Sequence, residues 1–253
     1  MSTSYKKAAL AIVTASLALT LGGCLVNRAA EVKGQFCDFD SNFNLRFTRS
    51  AAVDFLHPVM LDKDILWLTA SEPTETVVSG DEKLMVFVME KSGPAPDPAD
   101  DIRVELRFDL LDDQYKLAQI RFDPKLNAMI NPEVMDQATI DRGSRLMCET
   151  GYSLASREVE IDLSEQSLDE LPDRQEILEL LGPPFELDAL SDSFTYEYRL
   201  KGSDDDGLNT RFTVWFDDSG QKLARMESRY SHFHTTTDFQ QKKMRVQLKM
   251  LGG

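Results

Sequence analysis

Two distant stretches of the chain resemble each other, and this repeat limits the possible folds more than any other feature of the sequence. Residues 61–91 align without a gap with residues 171–201, at an offset of 110 residues. The similarity resumes where residues 103–122 match residues 211–230, apart from a turn two residues longer in the first copy. A fixed period indicates one structural unit that is used more than once. The sequence therefore predicts a duplication, with chance similarity as the alternative.

Each copy predicts the same order of elements: one strand, then a helix, then three strands. The first strand lies at 43–48 or 157–163. The helix is clearest at 173–182, where apolar side chains recur at helical spacing and a glycine followed by two prolines ends the element. We therefore predict an α+β fold of two tandem units, each a small antiparallel sheet with a helix packed on one face. The other face is left to pack on the sister unit or to meet a partner.

The predicted organisation has six parts. They are a lipoprotein signal peptide (1–23), a lipidated linker (24–36), a first unit (37–130), a connecting helix (131–149), a second unit (150–241) and a basic tail (242–253).

The start of the chain has the pattern of a bacterial lipoprotein leader. Two lysines precede an apolar run from Ala8 to Leu21, which is shorter than the roughly 20 residues that span a bilayer. The stretch Leu21-Gly22-Gly23-Cys24 resembles a lipobox, so we predict that Cys24 carries acyl chains such as palmitate. An ordinary secretory leader with an incidental cysteine is the alternative. Leu25, where an aspartate would favour the inner membrane, predicts an outer-membrane anchor facing the periplasm.

Two cysteines remain once Cys24 is assigned to lipid. Because the periplasm is oxidising, Cys37 and Cys148 predict one disulfide, and two buried free thiols are the alternative. Their spacing is not that of a zinc or redox site.

The charge of the chain excludes one class of partner. The formal net charge is −15, and an acidic protein is repelled by nucleic acid. We predict no nucleic-acid partner and expect any electrostatic partner to be basic. The simpler interpretation is that acidic charge keeps the domain soluble.

The second unit resembles a known family. A helix ending in ELLGPP, followed by TYEYR and FTVWFDDSGQKLARMES, is similar to the SmpA/OmlA/BamE-like lipoprotein domain over residues 171–230. The resemblance implies a non-enzymatic outer-membrane lipoprotein that binds envelope proteins and has no cofactor. It also implies a structural role for Leu181, Gly182 and Pro183. Two such units in tandem also resemble the architecture of β-lactamase inhibitory proteins. That likeness suggests an inhibitor or sequestering protein for a periplasmic enzyme as the alternative function.

Four residues are candidates for an interface. Trp215 would point away from the face shared by its neighbours on a strand, which favours contact with a partner. Lys243, Arg245 and Lys249 alternate with apolar residues in the tail and have no acid among them. This pattern predicts a docking strip, with a last strand or a frayed terminus as the alternative.

Support for chemistry is weak. His232 and His234 would share a face of a strand and are weak candidates for metal ligands, although two surface histidines at a strand end explain the pattern as well. No nucleophile-elbow or phosphate-binding motif occurs, so we predict that the protein is not an enzyme and needs no metal or cofactor.

Overall fold

A computed structural model describes nine segments of the chain: 30–47, 50–69, 71–93, 96–126, 136–149, 157–163, 171–202, 209–230 and 233–248. The predicted signal peptide, Cys24, His232 and Lys249 lie outside these segments.

The described strands form one antiparallel sheet of 13 strands. They are β1 (Phe43–Phe47), β2 (Ala51–Phe55), β3 (Glu75–Ser79), β4 (Glu82–Lys91), β5 (Ile102–Leu111), β6 (Gln114–Phe122), β7 (Arg157–Asp162), β8 (Glu186–Asp188), β9 (Ser193–Leu200), β10 (Asn209–Phe216), β11 (Leu223–Tyr230), β12 (Phe233–Asp238) and β13 (Lys243–Leu248).

The helices are short. They are α1 (residues 30–37), α2 (Phe39–Asn42), α3 (Asp62–Thr69), α4 (Gln137–Glu149) and α5 (Arg174–Leu181), with single 3-10 turns at Pro98–Asp100 and Pro124–Leu126. The predicted connecting helix at 131–149 thus begins, within the described residues, at Gln137.

The prediction of two small, separate sheets is wrong. The strand order is β1-β2-β6-β5-β4-β9-β10-β11-β12-β13-β7, with β3 added to β4 and β8 added to β9. The two halves fuse where β4 pairs with β9, through the pairs Met89–Leu200, Glu90–Arg199 and Lys91–Tyr198. An edge strand exposes unpaired backbone groups. Pairing the two edges with each other satisfies those groups and makes one sheet.

Corresponding elements recur on the two sides of this junction. The series α3-β3-β4-β5-β6 has the same order and pairing as α5-β8-β9-β10-β11. Even irregularities match: the bulge before Phe108 in β5 corresponds to the bulge before Phe216 in β10. Isolated bridges to Lys116 and to Lys222 also occur at matching places. These parallels are what a duplication would produce, and the duplication itself stays a prediction.

The gap-free alignment at an offset of 110 is not the structural correspondence. Val86 lies opposite Glu105 on β5, whereas Tyr196, its partner in the sequence alignment, lies opposite Phe212 on β10. Phe87 occupies the place of Tyr196, at an offset of 109. Since side chains alternate along a strand, a shift of one residue moves each of them to the other face.

One face of the sheet carries the core. Ile65 of α3 packs with Met85, Phe87, Leu106 and other strand residues in one buried cluster. In the second half, Ile177 and Leu181 of α5 pack with strand residues that include Tyr196, Tyr198, Val214 and Phe216. Met89 contacts both clusters, so both helices cover the same face.

Helix α5 has well-defined ends, which explains why the sequence signal is strong here. Asp173 and Glu176 form a capping box at its start, each side chain bonding the other's backbone N–H. At its end Gly182 has φ +68°, a region that favours glycine. A Cβ atom at Gly182 would also collide with the Asp100 carboxylate. Leu181, buried in the core, and Gly182, at the C-cap, therefore have a structural role at the end of α5.

Cys37 and Cys148 form a disulfide across 111 residues of chain. The bridge ties the end of α1 to α4. Helix α4 also protects one end of the sheet, because Gln137 accepts a hydrogen bond from the Leu45 N–H (3.0 Å) and donates one to the Phe43 carbonyl (2.7 Å) on β1.

Candidate functional site

The face of the sheet opposite the core is the candidate site, and we call it the open face. On β10, Arg211, Thr213 and Trp215 point to this face, while Val214 and Phe216 belong to the core. Within the described segments, no helix packs on it. The side chains on this face of β9, β10 and β11 are mostly polar and stand in rows along the strands. Arg211 is exposed to solvent, whereas Ser193 and Thr195 are buried.

A groove of about 440 Å³ lies on the open face of the second half. Its floor is formed by β9, β10 and β11, and its wall by β8 and the turn after it. The residues that line it are Glu186, Asp188, Ser191, Ser193, Thr195, Arg211, Thr213, Trp215, Glu227 and Arg229. The wall is fixed locally, since the Asp188 carboxylate accepts hydrogen bonds from the Leu190 N–H (2.9 Å) and the Ser191 hydroxyl (2.8 Å).

Trp215 is the one aromatic side chain that lines this groove. It is half-buried, with Ser193 on one neighbouring strand and Arg225 on the other. The Arg225 guanidinium lies 4.8 Å from the centre of the indole ring, a cation–π arrangement that orients the ring. The corresponding position in the first half is Arg107, so the two halves differ at this place.

Charged side chains form a ladder of ion pairs across the open face. Arg211 lies 3.3 Å from both Glu186 and Glu197, and Arg229 lies 2.6 Å from Glu227. Burial alone would raise the pKa of Glu227, but hydrogen bonding and charge from Arg229, together with the charge of His234, outweigh burial and hold that pKa below its usual range. The ladder therefore favours the ionised form of the carboxylate at its centre.

Glu227 predicts a pH dependence of stability. Because its pKa is lower in the folded state, it stabilises the protein fully above the unfolded pKa of about 4.3, and this contribution is lost as the pH falls through the folded pKa. We expect Glu227→Gln to lower the free energy of unfolding by about 1–2 kcal/mol at pH 7, and to flatten its decline between about pH 5 and pH 2.

Urea unfolding curves at a series of pH values measure this effect. Asp218→Asn, in an exposed turn, is the matched control and should keep the wild-type profile. A Glu227→Gln profile parallel to that of the wild type would refute the assignment.

His234 belongs to this ladder. Its Nε2 lies 3.0 Å from the Glu227 carboxylate, and its Nδ1 lies 3.3 Å from the Gln247 side-chain oxygen. His232, the other weak metal candidate, lies outside the described residues. In the part of the chain that the structure covers, no three histidine, cysteine, aspartate or glutamate side chains are grouped as a metal site would need.

The basic tail is an integral strand of the sheet. Within the described segments, β13 pairs with β12 on one side and with β7 on the other. Arg245 lies 2.7 Å from Glu158 and 3.0 Å from Glu160, and Lys243 also pairs with Glu160. These two cations are therefore neutralised by acids that are distant in sequence, and their strand is not a free docking strip. Lys249 lies outside the described residues.

Sequence reasoning selected Trp215 and missed the charged residues around it. Arg225, Glu227 and Arg229 recur at every second position of β11, and this alternation is the signal that could have placed them on one face. The groove itself was not predictable, because its wall comes from β8, a three-residue strand.

Comparisons of the chain with protein-family models, with curated proteins and with solved structures find no match. Among the described residues, no helix is long and apolar enough to cross a membrane.

Proposed function

We propose that this protein is a lipid-anchored periplasmic binding protein of the outer membrane that contacts envelope proteins through the groove around Trp215. The observation that carries the proposal is the half-buried, oriented indole on a sheet face that no described helix covers. Interfaces are enriched in tryptophan and arginine, and both line this groove.

Three further features support the proposal. The lipobox-like sequence at Cys24 provides the anchor. The disulfide between Cys37 and Cys148 suits an oxidising compartment. The groove is polar and built on paired strands, and a rigid surface of this kind loses little conformational entropy when it binds.

Trp67 provides a matched control, because the chain has only two tryptophans. It lies on α3, on the core side of the sheet, and is 80% exposed. A photo-crosslinking amino acid placed at 215 in the full-length, lipidated protein should form a specific adduct with an envelope protein in cells. The same amino acid at 67 should not.

The outcome also distinguishes binding from chance contact. The partner identified by the crosslink is then tested against variants without the crosslinking amino acid. Trp215→Ala should weaken binding of this partner at least tenfold, which corresponds to about 1.4 kcal/mol. Trp67→Ala should leave its binding unchanged. Equal adducts from positions 215 and 67 would reject the groove as the binding site.

The alternative function, inhibition or sequestration of a periplasmic enzyme, has one structural observation in its favour. Leu190 is fully exposed at the tip of the turn after β8. The Asp188 carboxylate accepts a hydrogen bond from the Leu190 N–H and so holds the backbone of this turn in place. A protruding apolar tip held in one conformation suits insertion into a cleft. If this function is correct, Leu190→Ala will abolish binding, and a chain lacking the lipid on Cys24 will bind as well as the anchored protein.

A further inference from the structure

Strand β3 lies at an edge of the sheet. In the described part of the chain it pairs with β4 alone. All five of its residues are exposed, including Val77 (44%) and Val78 (57%), which point to opposite faces. An exposed edge strand with adjacent β-branched residues is a template on which another strand can pair.

The two-residue turn of this hairpin fixes which backbone groups point outward. Ser79 and Glu82 flank the turn at Gly80 and Asp81, so they form a hydrogen-bonded pair. Pairs alternate along an antiparallel ladder, so Thr76 and Val78 occupy the positions whose N–H and C=O groups point away from β4. No described backbone group accepts from or donates to these outward groups.

Strand β1, at one end of the same sheet, has its outer edge covered. The outer edge of β1 is capped by the Gln137 side chain, which bonds Leu45 and Phe43. Thr76 and Val78 have no such protection among the described residues.

The charge around β3 selects the partner. Residues 71–82 contain four carboxylates and no lysine or arginine. Glu75 and Glu82 already pair with Arg103 and Arg107 on β5, so the negative charge that stays unpaired among the described residues is that of Glu72 and Asp81. A second copy of this chain would bring like charges together at the edge and be repelled. A basic strand would be attracted, and this sheet contains an example, since Lys243 and Arg245 on β13 face Glu160 on β7.

We propose that the outer edge of β3 docks an extended basic segment of a partner protein, which adds a strand through the backbone groups of Thr76 and Val78. This site lies in the first half of the sheet and does not depend on the groove around Trp215.

A peptide of alternating lysine and valine, seven residues long and fluorescently labelled, serves as the probe. Its binding to the full-length protein in detergent is measured by fluorescence anisotropy. We expect saturable binding that weakens with salt. A peptide of alternating glutamate and valine should not bind. Hydrogen exchange should slow at Thr76 and Val78 when the basic peptide is bound.

Thr76→Pro tests the backbone contact. Proline at this position removes an outward N–H and leaves the ladder to β4 intact, so affinity for the basic peptide should fall at least tenfold. Thr76→Val keeps the N–H and should bind like the wild type, as should Trp215→Ala. Three results would each overturn the proposal: the wild type does not bind the basic peptide, the acidic peptide binds equally well, or amide exchange at β3 is unchanged. These results do not depend on whether Thr76→Pro folds.

Discussion

Lys91→Ala is expected to lower the free energy of unfolding by about 3–5 kcal/mol, the range observed when one member of a buried ion pair is removed. The side chain of Lys91 is only 4% exposed, and its ammonium lies 2.9 Å from the Asp100 carboxylate. It also donates a hydrogen bond to the Leu181 carbonyl at the end of α5. Its removal leaves both acceptors without this donor, which is costly away from water.

The position of Lys91 explains the size of the effect. It ends β4, where the two halves of the sheet meet, and its ammonium lies 5.5 Å from the centre of the Tyr196 ring. Asp100 belongs to the loop of the first half, whereas Leu181 and Tyr196 belong to the second. One cation therefore connects elements of both halves, and we expect its loss to loosen the junction.

Lys201→Ala is the control. The gap-free repeat alignment matches Lys201 with Lys91, but Lys201 is half exposed and pairs with Glu90, which is also exposed. An exposed pair contributes little, so guanidinium unfolding of Lys201→Ala should resemble that of the wild type. Similar losses in the two variants would contradict the assignment of Lys91 to a buried network.

Removal of the disulfide is expected to have an effect of comparable size. The bridge spans 111 residues, and a loop of this length corresponds to about 4–5 kcal/mol in the chain-entropy model. The variant that carries both Cys37→Ala and Cys148→Ala should have a free energy of unfolding that is lower by that amount, and it should therefore unfold at a lower denaturant concentration. Hydrogen exchange should be faster in residues 30–42, because α1 loses its covalent link to α4.

Reduction of the wild-type protein provides the control. Dithiothreitol should lower the unfolding free energy of the wild type to that of the double variant and leave the double variant unchanged. A loss below about 1 kcal/mol would show that contacts of α2 with α4 hold this end of the fold without the bridge.

Local pattern predicted most of the second half. Helix 173–182 and the strands at 194–200, 210–216 and 222–230 differ from α5, β9, β10 and β11 by only one residue at some ends. These elements have periodic apolar residues and strong stop signals, which act within a few residues. The alternation also placed Trp215 on the face opposite Val214 and Phe216, where the structure has it.

The sequence by itself thus determined α5, β9, β10 and β11, the face to which Trp215 points, and the pair of cysteines available for a bridge. Only the tertiary structure decided which strands pair with which. It fused two predicted sheets through β4 and β9, placed the basic tail against Glu158 and Glu160, and buried Lys91 while leaving Lys201 in solvent. The physical reason is that periodicity reflects forces between neighbours in the chain, whereas edge pairing and charge burial depend on groups that lie about a hundred residues apart.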